Sequence, residues 1–368
     1  MRKFSLILVL ALAAGITSIF TRIPAQTESA SGFNAQQLAA FAALEPIDTH
    51  THIYKDDPAY LAMLQKLRLH ILDIVDVSDS GDPERKNLDK EEADVFAVIR
   101  DSHGHGAVCT SFDPYRFNDA NFVPAAIARL NQSFAKGAIA VKVWKNVGME
   151  VKDAQGYYVL PDNPALEPIY KDIAAHHKTL LMHIADPDTA WNAPDRSQPD
   201  FRYYLEHPEW YMYKIPGSPS KDAILRARDH VLEMNPDLSI VGAHLGSMES
   251  HLNELAQHLD RYPNFAVDLA GRMPYFIAQP KDAMVAFITK YQDRLLYGTD
   301  DTMYPQADVK TSAAHMEASY AKDWQYLATN DQLTYRGRTV EGLGLPKSIL
   351  EKIYHQNAVH WFPGILKN

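Results

Sequence analysis

The most constraining feature of this chain is a regular alternation of short apolar segments with longer amphipathic ones. Most of the short segments are rich in Val, Ile, Leu and Ala, and in the segments between them apolar side chains recur at helical spacing. The strands predicted in this way cover residues 45–52, 69–77, 106–112, 138–144, 179–184, 238–244, 265–270 and 294–299. The pattern therefore predicts eight strand–helix units in succession.

Eight such units fit a closed (β/α)8 barrel, the TIM barrel, because parallel strands that are buried on both faces need a helix between them. An open doubly wound sheet is the main alternative. The sequence has no GxGxxG turn after a strand and no GxxxxGK phosphate loop, which argues against that alternative. A long aromatic-rich insertion follows the fifth strand at residues 185–219, and in a barrel it would cover the mouth as a lid. A second long connection is expected at residues 301–345.

The first 30 residues have a separate character. Arg2 and Lys3 precede an almost entirely apolar run at residues 4–20, and residues 23–25 then offer a cleavage site. Because this is the three-part pattern of a secretory signal, we expect a signal peptide at residues 1–30 and a single domain at residues 31–368, exported to a periplasm. An uncleaved membrane anchor is the alternative, since the run is near the length of a membrane span.

Composition narrows the chemistry that is open to the chain. The sequence has one cysteine, Cys109, so it can form neither an intramolecular disulfide nor a thiolate metal site. The formal net charge is -10 and there is no cluster of Lys and Arg, which argues against a nucleic-acid partner. Any metal ion must therefore be held by His, Asp, Glu or a modified Lys.

Polar residues near the strand ends are the candidate site. In the first predicted strand, His50 and His52 share one face, so their imidazoles could converge on one metal ion. A histidine-rich loop without a ligand is the alternative. In a barrel, the residues at the carboxyl ends of all strands point into one mouth. The other candidates at or near strand ends are Lys142, His183, His244, Arg272 and Asp300.

The chemistry of these side chains indicates a metal-dependent enzyme. Three imidazoles and one carboxylate suit Zn²⁺, with Mn²⁺ and Fe²⁺ as alternatives. Water that is bound to such an ion loses much of its proton affinity. A carboxylate beside the ion can take that proton, and a further histidine can stabilise the charge that develops on a substrate carbonyl.

The motifs IDTHTH, LLMH, GAHLG and LLYGTD, in this order, resemble the strand-end motifs of the amidohydrolase superfamily. They resemble more closely its amidohydrolase-related branch, which includes aminocarboxymuconate-semialdehyde decarboxylase. The resemblance covers roughly residues 45–362 and implies that His50, His52, His183 and Asp300 hold a single divalent metal. It also implies that Asp300 is the general base and that His244 polarises the substrate or shuttles protons.

Three further residues have open roles. The resemblance implies that Lys142 could become a carbamate that binds a second metal, whereas a substrate ligand or an ion-pair partner is the alternative. Arg272 could bind a substrate carboxylate or form a salt bridge to Asp268 or Asp301. Trp191, in the insertion, is expected to contact the substrate.

Together these observations predict an exported, metal-dependent hydrolase in which metal-activated water attacks a carbonyl-type centre of a small, carboxylated organic substrate. A non-oxidative decarboxylase with the same metal site is the second interpretation, because the resembling branch contains such lyases. A catalytically inactive exported binding protein is the third. The expected partners are a small-molecule substrate and, through the outer helices, a second copy of the chain, with no nucleic acid and no membrane beyond the N-terminal segment.

Overall fold

The computed structural model describes residues 32–77, 87–198, 200–335 and 338–366. Nine strands of this part form one sheet, and they are β1 (Ile47–Ile53), β2 (His70–Ile74), β3 (Gly106–Ser111), β4 (Ala140–Val143), β5 (Thr179–Met182), β6 (Ile240–Gly242), β7 (Phe265–Asp268), β8 (Leu295–Leu296) and β9 (Asp301–Met303). All neighbouring pairs are parallel, in the order β8-β7-β6-β5-β4-β3-β2-β1-β9. The signal peptide expected at residues 1–30 lies outside the described residues.

β8 and β9 are two halves of one broken strand that closes the sheet into a ring. β8 pairs with β7, and β9 pairs with β1. Across the break, the Thr49 N–H donates to the Tyr297 carbonyl at 3.0 Å and the Asp300 N–H donates to the His50 carbonyl at 2.8 Å. The last strand therefore bonds to β7 on one side and to β1 on the other. The prediction of a (β/α)8 barrel is confirmed.

Helices precede the first strand, connect the others and follow the last, and the longer ones cover the outside of the ring. They are α1 (Ala35–Ala42), α2 (Pro58–Leu67), α3 (Leu88–Asp101), α4 (Phe122–Lys136), α5 (Asn146–Met149), α6 (Glu167–Ala175), α7 (Phe201–Glu206), α8 (Lys221–Met234), α9 (Ala243–Gly246), α10 (Leu252–Arg261), α11 (Met273–Ile277), α12 (Lys281–Tyr291), α13 (Val309–Ala328), α14 (Lys347–Glu351) and α15 (Asn357–Trp361). A π-helical segment, Lys352–Gln356, joins α14 to α15. Within the described ranges, none of these helices combines the length and the apolar character that a membrane span requires.

Alternate residues of each strand face the two sides of the sheet, as a period of two requires. In β5, Leu181 belongs to the cluster inside the ring, whereas Leu180 and Met182 pack on the helices. Trp361 and Phe362 join the inner cluster, and the Thr179 hydroxyl donates to the Trp361 carbonyl. Because β5 begins at Thr179, these aromatic residues lie at the amino end of the strands. The carboxyl ends are left for polar side chains.

Two long connections follow strands β5 and β9. The residues between β5 and α8 contain α7 and 3-10 turns at Asp188–Ala190, Pro208–Trp210 and Met212–Lys214, and a lid role for this segment stays a prediction. The other long connection was predicted at residues 301–345. The segment contains β9, the 20-residue helix α13 and an antiparallel hairpin of β10 (Gln332–Tyr335) and β11 (Arg338–Glu341). The helix α13 follows β9 and packs against α2, the helix that follows β1. It is therefore the helix of the last strand–helix unit, next to the first unit in the ring.

Candidate metal centre

Residues that the sequence analysis placed at strand ends lie together at the carboxyl end of the barrel. The ring centroids of His50 and His244 are 4.7 Å apart, and those of His183 and His244 are 4.3 Å apart. Among the described residues, His50, His244 and Asp300 form a group whose ligand atoms all lie within 4.8 Å of one another. The closed sheet therefore brings side chains from β1, the ends of β5 and β6, and the break before β9 to one place.

Three of the histidines turn the same ring nitrogen, Nδ1, toward an oxygen atom on the side of the ring away from the centre, called here an outer oxygen. These contacts join Nδ1 of His50 to Oδ2 of Asp268 at 2.8 Å, Nδ1 of His52 to the Ile74 carbonyl at 3.0 Å, and Nδ1 of His244 to the Ala270 carbonyl at 2.8 Å. Because carboxylate and carbonyl oxygens accept hydrogen bonds, we assign the hydrogen of each ring to Nδ1 and a lone pair to each Nε2. Outer oxygens orient histidine ligands of metal ions in this way.

Asp300 lies in the break of the last strand, between two of these imidazoles. Its Oδ1 is 3.4 Å from Nε2 of His50 and 3.5 Å from Nε2 of His52. Its backbone has φ +69°, and its N–H donates to the His50 carbonyl. A left-handed conformation is uncommon for residues other than glycine, although aspartate adopts it more readily than most. The pairing of the last strand with β1 fixes this conformation and so holds the carboxylate in place.

His244 also has a left-handed backbone. It follows β6 with φ +57°, and Leu245 follows with φ +58°. The His244 N–H donates to Oδ1 of Asp268 at 2.7 Å, which anchors the turn. Strained residues of this kind occur at sites where the surrounding structure fixes a side chain for function. The turn places the His244 ring between those of His50 and His183.

His183 follows β5 and is buried, yet neither of its ring nitrogens makes a hydrogen bond within the described part of the chain. Oδ1 of Asp186 lies 3.4 Å from its Nε2, which is an electrostatic contact without hydrogen-bond geometry. A buried polar group that lacks a partner is destabilised by about 1–3 kcal/mol. A cation that accepts a nitrogen ligand would satisfy this imidazole.

The protonation states of the centre also suit a cation. Burial lowers the pKa of His50, lowers that of His183 to about 3, and lowers that of His244 well below its ordinary value. Desolvation in the mouth raises the pKa of Asp300, but the neighbouring imidazoles, His244 first, lower it by more than desolvation raises it. The pKa of Asp300 therefore lies well below its usual range. Metal ligands must be neutral imidazoles and ionised carboxylates. The residues present therefore fit a divalent metal ion.

Lys142 adds an amino group to the same place. Its side chain is fully buried on β4, and its Nζ lies 2.6 Å from Nε2 of His50. The ring of Trp144 lies below the amine, with 4.2 Å between Nζ and the ring centroid. Burial lowers the pKa of this amine. The structure therefore places Lys142 on the inward face, and its role as a second-metal or substrate ligand stays a prediction.

Arg272 contacts a different acid from those that the sequence suggested. Its Nε lies 3.8 Å from Oε2 of the fully buried Glu249, and neither atom has a hydrogen-bond partner among the described residues. The alternative of a salt bridge to Asp268 or Asp301 was wrong, because Arg272 turns toward the segment after β6 while Asp268 faces His50. Binding of a substrate carboxylate by Arg272 stays a prediction.

The aromatic segment between β5 and α8 approaches the centre through Tyr203 and Trp210, and not through Trp191, the residue expected from the sequence. Trp191 donates its indole N–H to the Pro219 carbonyl at 2.9 Å, a contact inside the segment, and its predicted contact with substrate stays a prediction. Tyr203 and Trp210 instead contact Lys145, which follows β4.

Asp268 supports two of the histidines, and sequence reasoning missed it. Its Oδ1 accepts hydrogen bonds from the His244 N–H at 2.7 Å and the Ala270 N–H at 3.1 Å, and its Oδ2 faces the His50 ring. One signal could have revealed this role. Asp268 alternates with Ala266 and Ala270 along β7, so it lies on the inward face, where a carboxylate needs partners.

A closed barrel that gathers nitrogen and oxygen donors at the carboxyl ends of its strands is typical of a TIM-barrel enzyme with a metal site. The family model described as amidohydrolase matches residues 47–364. The chain therefore belongs to the amidohydrolase family, and the resemblance inferred from the strand-end motifs is confirmed.

The comparison with solved structures also found matches. A protein described as amidohydrolase II is 16% identical, with a TM-score of 0.49 over 86% of this chain and 99% of that one. The 5-carboxyvanillate decarboxylase of Sphingomonas paucimobilis is 13% identical, with a TM-score of 0.45 over 87% and 99%. A dihydroxybenzoic acid decarboxylase of a Polaromonas species, with bound manganese and an inhibitor, is 13% identical, with a TM-score of 0.47 over 87% and 97%. A search of curated proteins found no match. The family assignment rests on the match over residues 47–364.

Proposed function

We propose that this chain is a metal-dependent hydrolase that adds water to a carbonyl-type centre of a small, carboxylated organic substrate. The observation that carries the proposal is the shared orientation of three imidazoles, whose Nδ1 atoms are held by outer oxygens, around the carboxylate of Asp300. His50, His52, His183 and Asp300 would hold the ion. When bound, a divalent ion supplies Lewis acidity toward water and toward the substrate oxygen.

Asp300 is the general base of this proposal. Its low pKa keeps it ionised, and 38% of its side-chain surface is accessible from the mouth, so it can take a proton from the attacking water. The same carboxyl group can then give the proton to the leaving group, which completes one turnover without a second acid.

His244 fits a proton-shuttling role better than a polarising one. A ring that carries its hydrogen on Nδ1, bonded to the Ala270 carbonyl, presents a lone pair at Nε2. Such an atom accepts a proton, and it cannot donate a hydrogen bond to a substrate carbonyl until it has done so. Between the two roles implied by the family, the hydrogen-bond pattern thus favours shuttling.

The metal and the setting belong to the same proposal. Zn²⁺ is the first candidate for a site of imidazoles and one carboxylate, with Mn²⁺ and Fe²⁺ as alternatives. Export by the N-terminal segment, to a periplasm, is part of the proposal as well, with a small molecule as the partner of the site.

The test combines metal analysis with isotope tracing. The purified chain would be loaded with Zn²⁺, Mn²⁺ or Fe²⁺ and offered carboxylated lactones, esters and amides in ¹⁸O-labelled water. We expect one label in the product and loss of turnover in Asp300→Asn, whereas Asp301→Asn, a change of the adjacent acid, keeps turnover. Release of carbon dioxide with no label in the organic product would assign a decarboxylase. A chain that cannot be loaded with metal would indicate an inactive binding protein.

A further inference from the structure

The contacts of Lys145 link the aromatic segment between β5 and α8 to the metal centre. We propose that Lys145 is a positioning residue that fastens this segment to the side of the centre that carries His183. The proposal rests on the hydrolase assignment only in taking His183 as a ligand. Lys145 lies two residues beyond the end of β4, and Asp186 lies four residues beyond the end of β5, so both belong to the mouth of the barrel.

Lys145 is enclosed by groups from two directions. Its Nζ lies 2.9 Å and 2.8 Å from the two carboxylate oxygens of Asp186, and 3.1 Å from the hydroxyl of Tyr203. The ring centroid of Trp210 lies 4.4 Å from the same nitrogen. The side chains of Lys145 and Asp186 are 8% and 4% exposed, so both charges are almost fully removed from water. A buried charge of this kind is stable only when partners replace its hydration.

Those partners lie in two parts of the segment. Asp186 lies at its start, four residues beyond the end of β5, whereas Tyr203 and Trp210 lie further along it, in α7 and in the 3-10 turn that follows α7. An aromatic face and a hydroxyl are both favourable to an ammonium group, and the attraction of the face grows when water is excluded. Displacement of the segment would therefore expose the ammonium on one side and remove two of its contacts.

Asp186 carries the effect of this contact to the centre. Its Oδ1 is 2.9 Å from Lys145 and 3.4 Å from Nε2 of His183, so one carboxylate oxygen touches both. While the segment is seated, Lys145 fixes the carboxylate, and the carboxylate limits the positions that the His183 ring can take. Groups that orient a metal ligand typically change metal affinity by about 10–100-fold when they are removed. Seating of the segment and binding of the metal are thus coupled through Lys145.

The first readout is tryptic cleavage within the segment, at Arg196 and Arg202, which are both exposed. Lys145→Met removes the charge and keeps the length of the side chain. We expect cleavage after these two arginines to be about tenfold faster in this variant, because proteolysis follows the population of the opened segment. Lys152→Met is the matched control, since Lys152 also lies over a tyrosine ring, that of Tyr158 at 4.5 Å, but is exposed. The control should be cleaved as the unmodified chain is.

The second readout is the affinity of the metal-free full chain for Zn²⁺ and Mn²⁺, measured in competition with a chelator. We expect Lys145→Met to lose about tenfold in affinity. Equal cleavage and equal affinity in Lys145→Met and the unmodified chain would overturn the proposal, and faster cleavage with unchanged affinity would overturn the link to His183. If Lys145→Met does not fold, Tyr203→Phe, which removes only the hydroxyl at 3.1 Å, decides by the same two readouts. An unmodified chain that binds neither metal would contradict the hydrolase assignment, and the cleavage rates would still decide whether Lys145 fastens the segment.

Discussion

Replacement of Asp268 by Asn tests whether an outer carboxylate sets the tautomer of a metal ligand. Oδ1 of Asp268 accepts from two backbone N–H groups, those of His244 and Ala270, and an asparagine oxygen can continue to accept both. Those two donors fix the orientation of the new amide, so its NH₂ group must face Nδ1 of His50. The ring would then move its hydrogen to Nε2, the atom that a metal ion needs.

The expected magnitudes separate binding from folding. Loss of an outer partner of a histidine ligand reduces metal affinity by about 10–100-fold, which corresponds to about 1.4–2.8 kcal/mol. The metal-free chain should lose only about 1–3 kcal/mol of stability, because three charge-assisted hydrogen bonds, those with the two backbone N–H groups and the His50 ring, become neutral ones. Asp268→Ala should lose more, about 2–6 kcal/mol, because both N–H donors are left buried without an acceptor.

The assay is a titration of the metal-free protein with Zn²⁺ against a chromogenic chelator, combined with denaturant unfolding in the absence of metal. Asp73→Asn is the matched control, because Asp73 is also a fully buried carboxyl group, on β2, and its Oδ1 accepts from the Ile53 N–H at 2.8 Å. The control should keep its metal affinity. A folded Asp268→Asn variant with the affinity of the unmodified chain would refute the assignment of the His50 tautomer.

Three further predictions concern metal, pH and packing. Removal of metal with a chelator should abolish turnover and lower the melting temperature. The free energy of unfolding should fall by about 4 kcal/mol relative to a sample whose free metal exceeds Kd by about a thousandfold; full activity after chelation would contradict this. Burial raises the pKa of Asp323 from 3.8 to about 7. The folded chain therefore keeps this proton in a range where the unfolded chain has lost it, and the free energy of unfolding falls by up to about 1.4 kcal/mol per pH unit between about pH 4 and 7. Asp323→Asn, which keeps an acceptor for the Tyr297 hydroxyl, should flatten that fall in melts at about pH 5 and 7; an unchanged slope would contradict the assignment. Gly298→Ala would place a Cβ 3.1 Å from Cβ of His50 and 3.3 Å from that of Ala270, and crowding should lower the unfolding free energy by about 1–3 kcal/mol with a weaker Zn²⁺ titration, whereas unchanged values would refute it.

The fold could be predicted because each strand of a parallel barrel is buried on both faces and is therefore visible as an apolar run. The last strand was the exception. One strand was predicted at residues 294–299, whereas the structure has β8 at Leu295–Leu296 and β9 at Asp301–Met303. The break depends on the left-handed backbone of Asp300, and no local residue pattern requires a non-glycine residue to adopt it.

The candidate site was predictable where side chains follow strand ends, because the topology of a barrel brings those positions together. Asp268 was not assigned to the site, since its contacts with His50 cross the barrel from β7 to β1 and leave no fixed spacing in the sequence. The partner of Arg272 was missed for a related reason. Glu249 lies in the turn after β6, and the direction of a long guanidinium side chain depends on packing that a single sequence does not encode locally.

The break between β8 and β9 has a consequence for how the enzyme is assembled. The seam where the last strand meets the first is also the place where the Asp300 carboxylate reaches the histidines of β1. A chain that forms its strand pairs in sequence order can complete every earlier pair and still have no complete centre, because its acid, Asp300, lies in the last strand of the ring. Closure of the ring of strands therefore also completes the set of candidate metal ligands, and a partly formed barrel lacks its carboxylate.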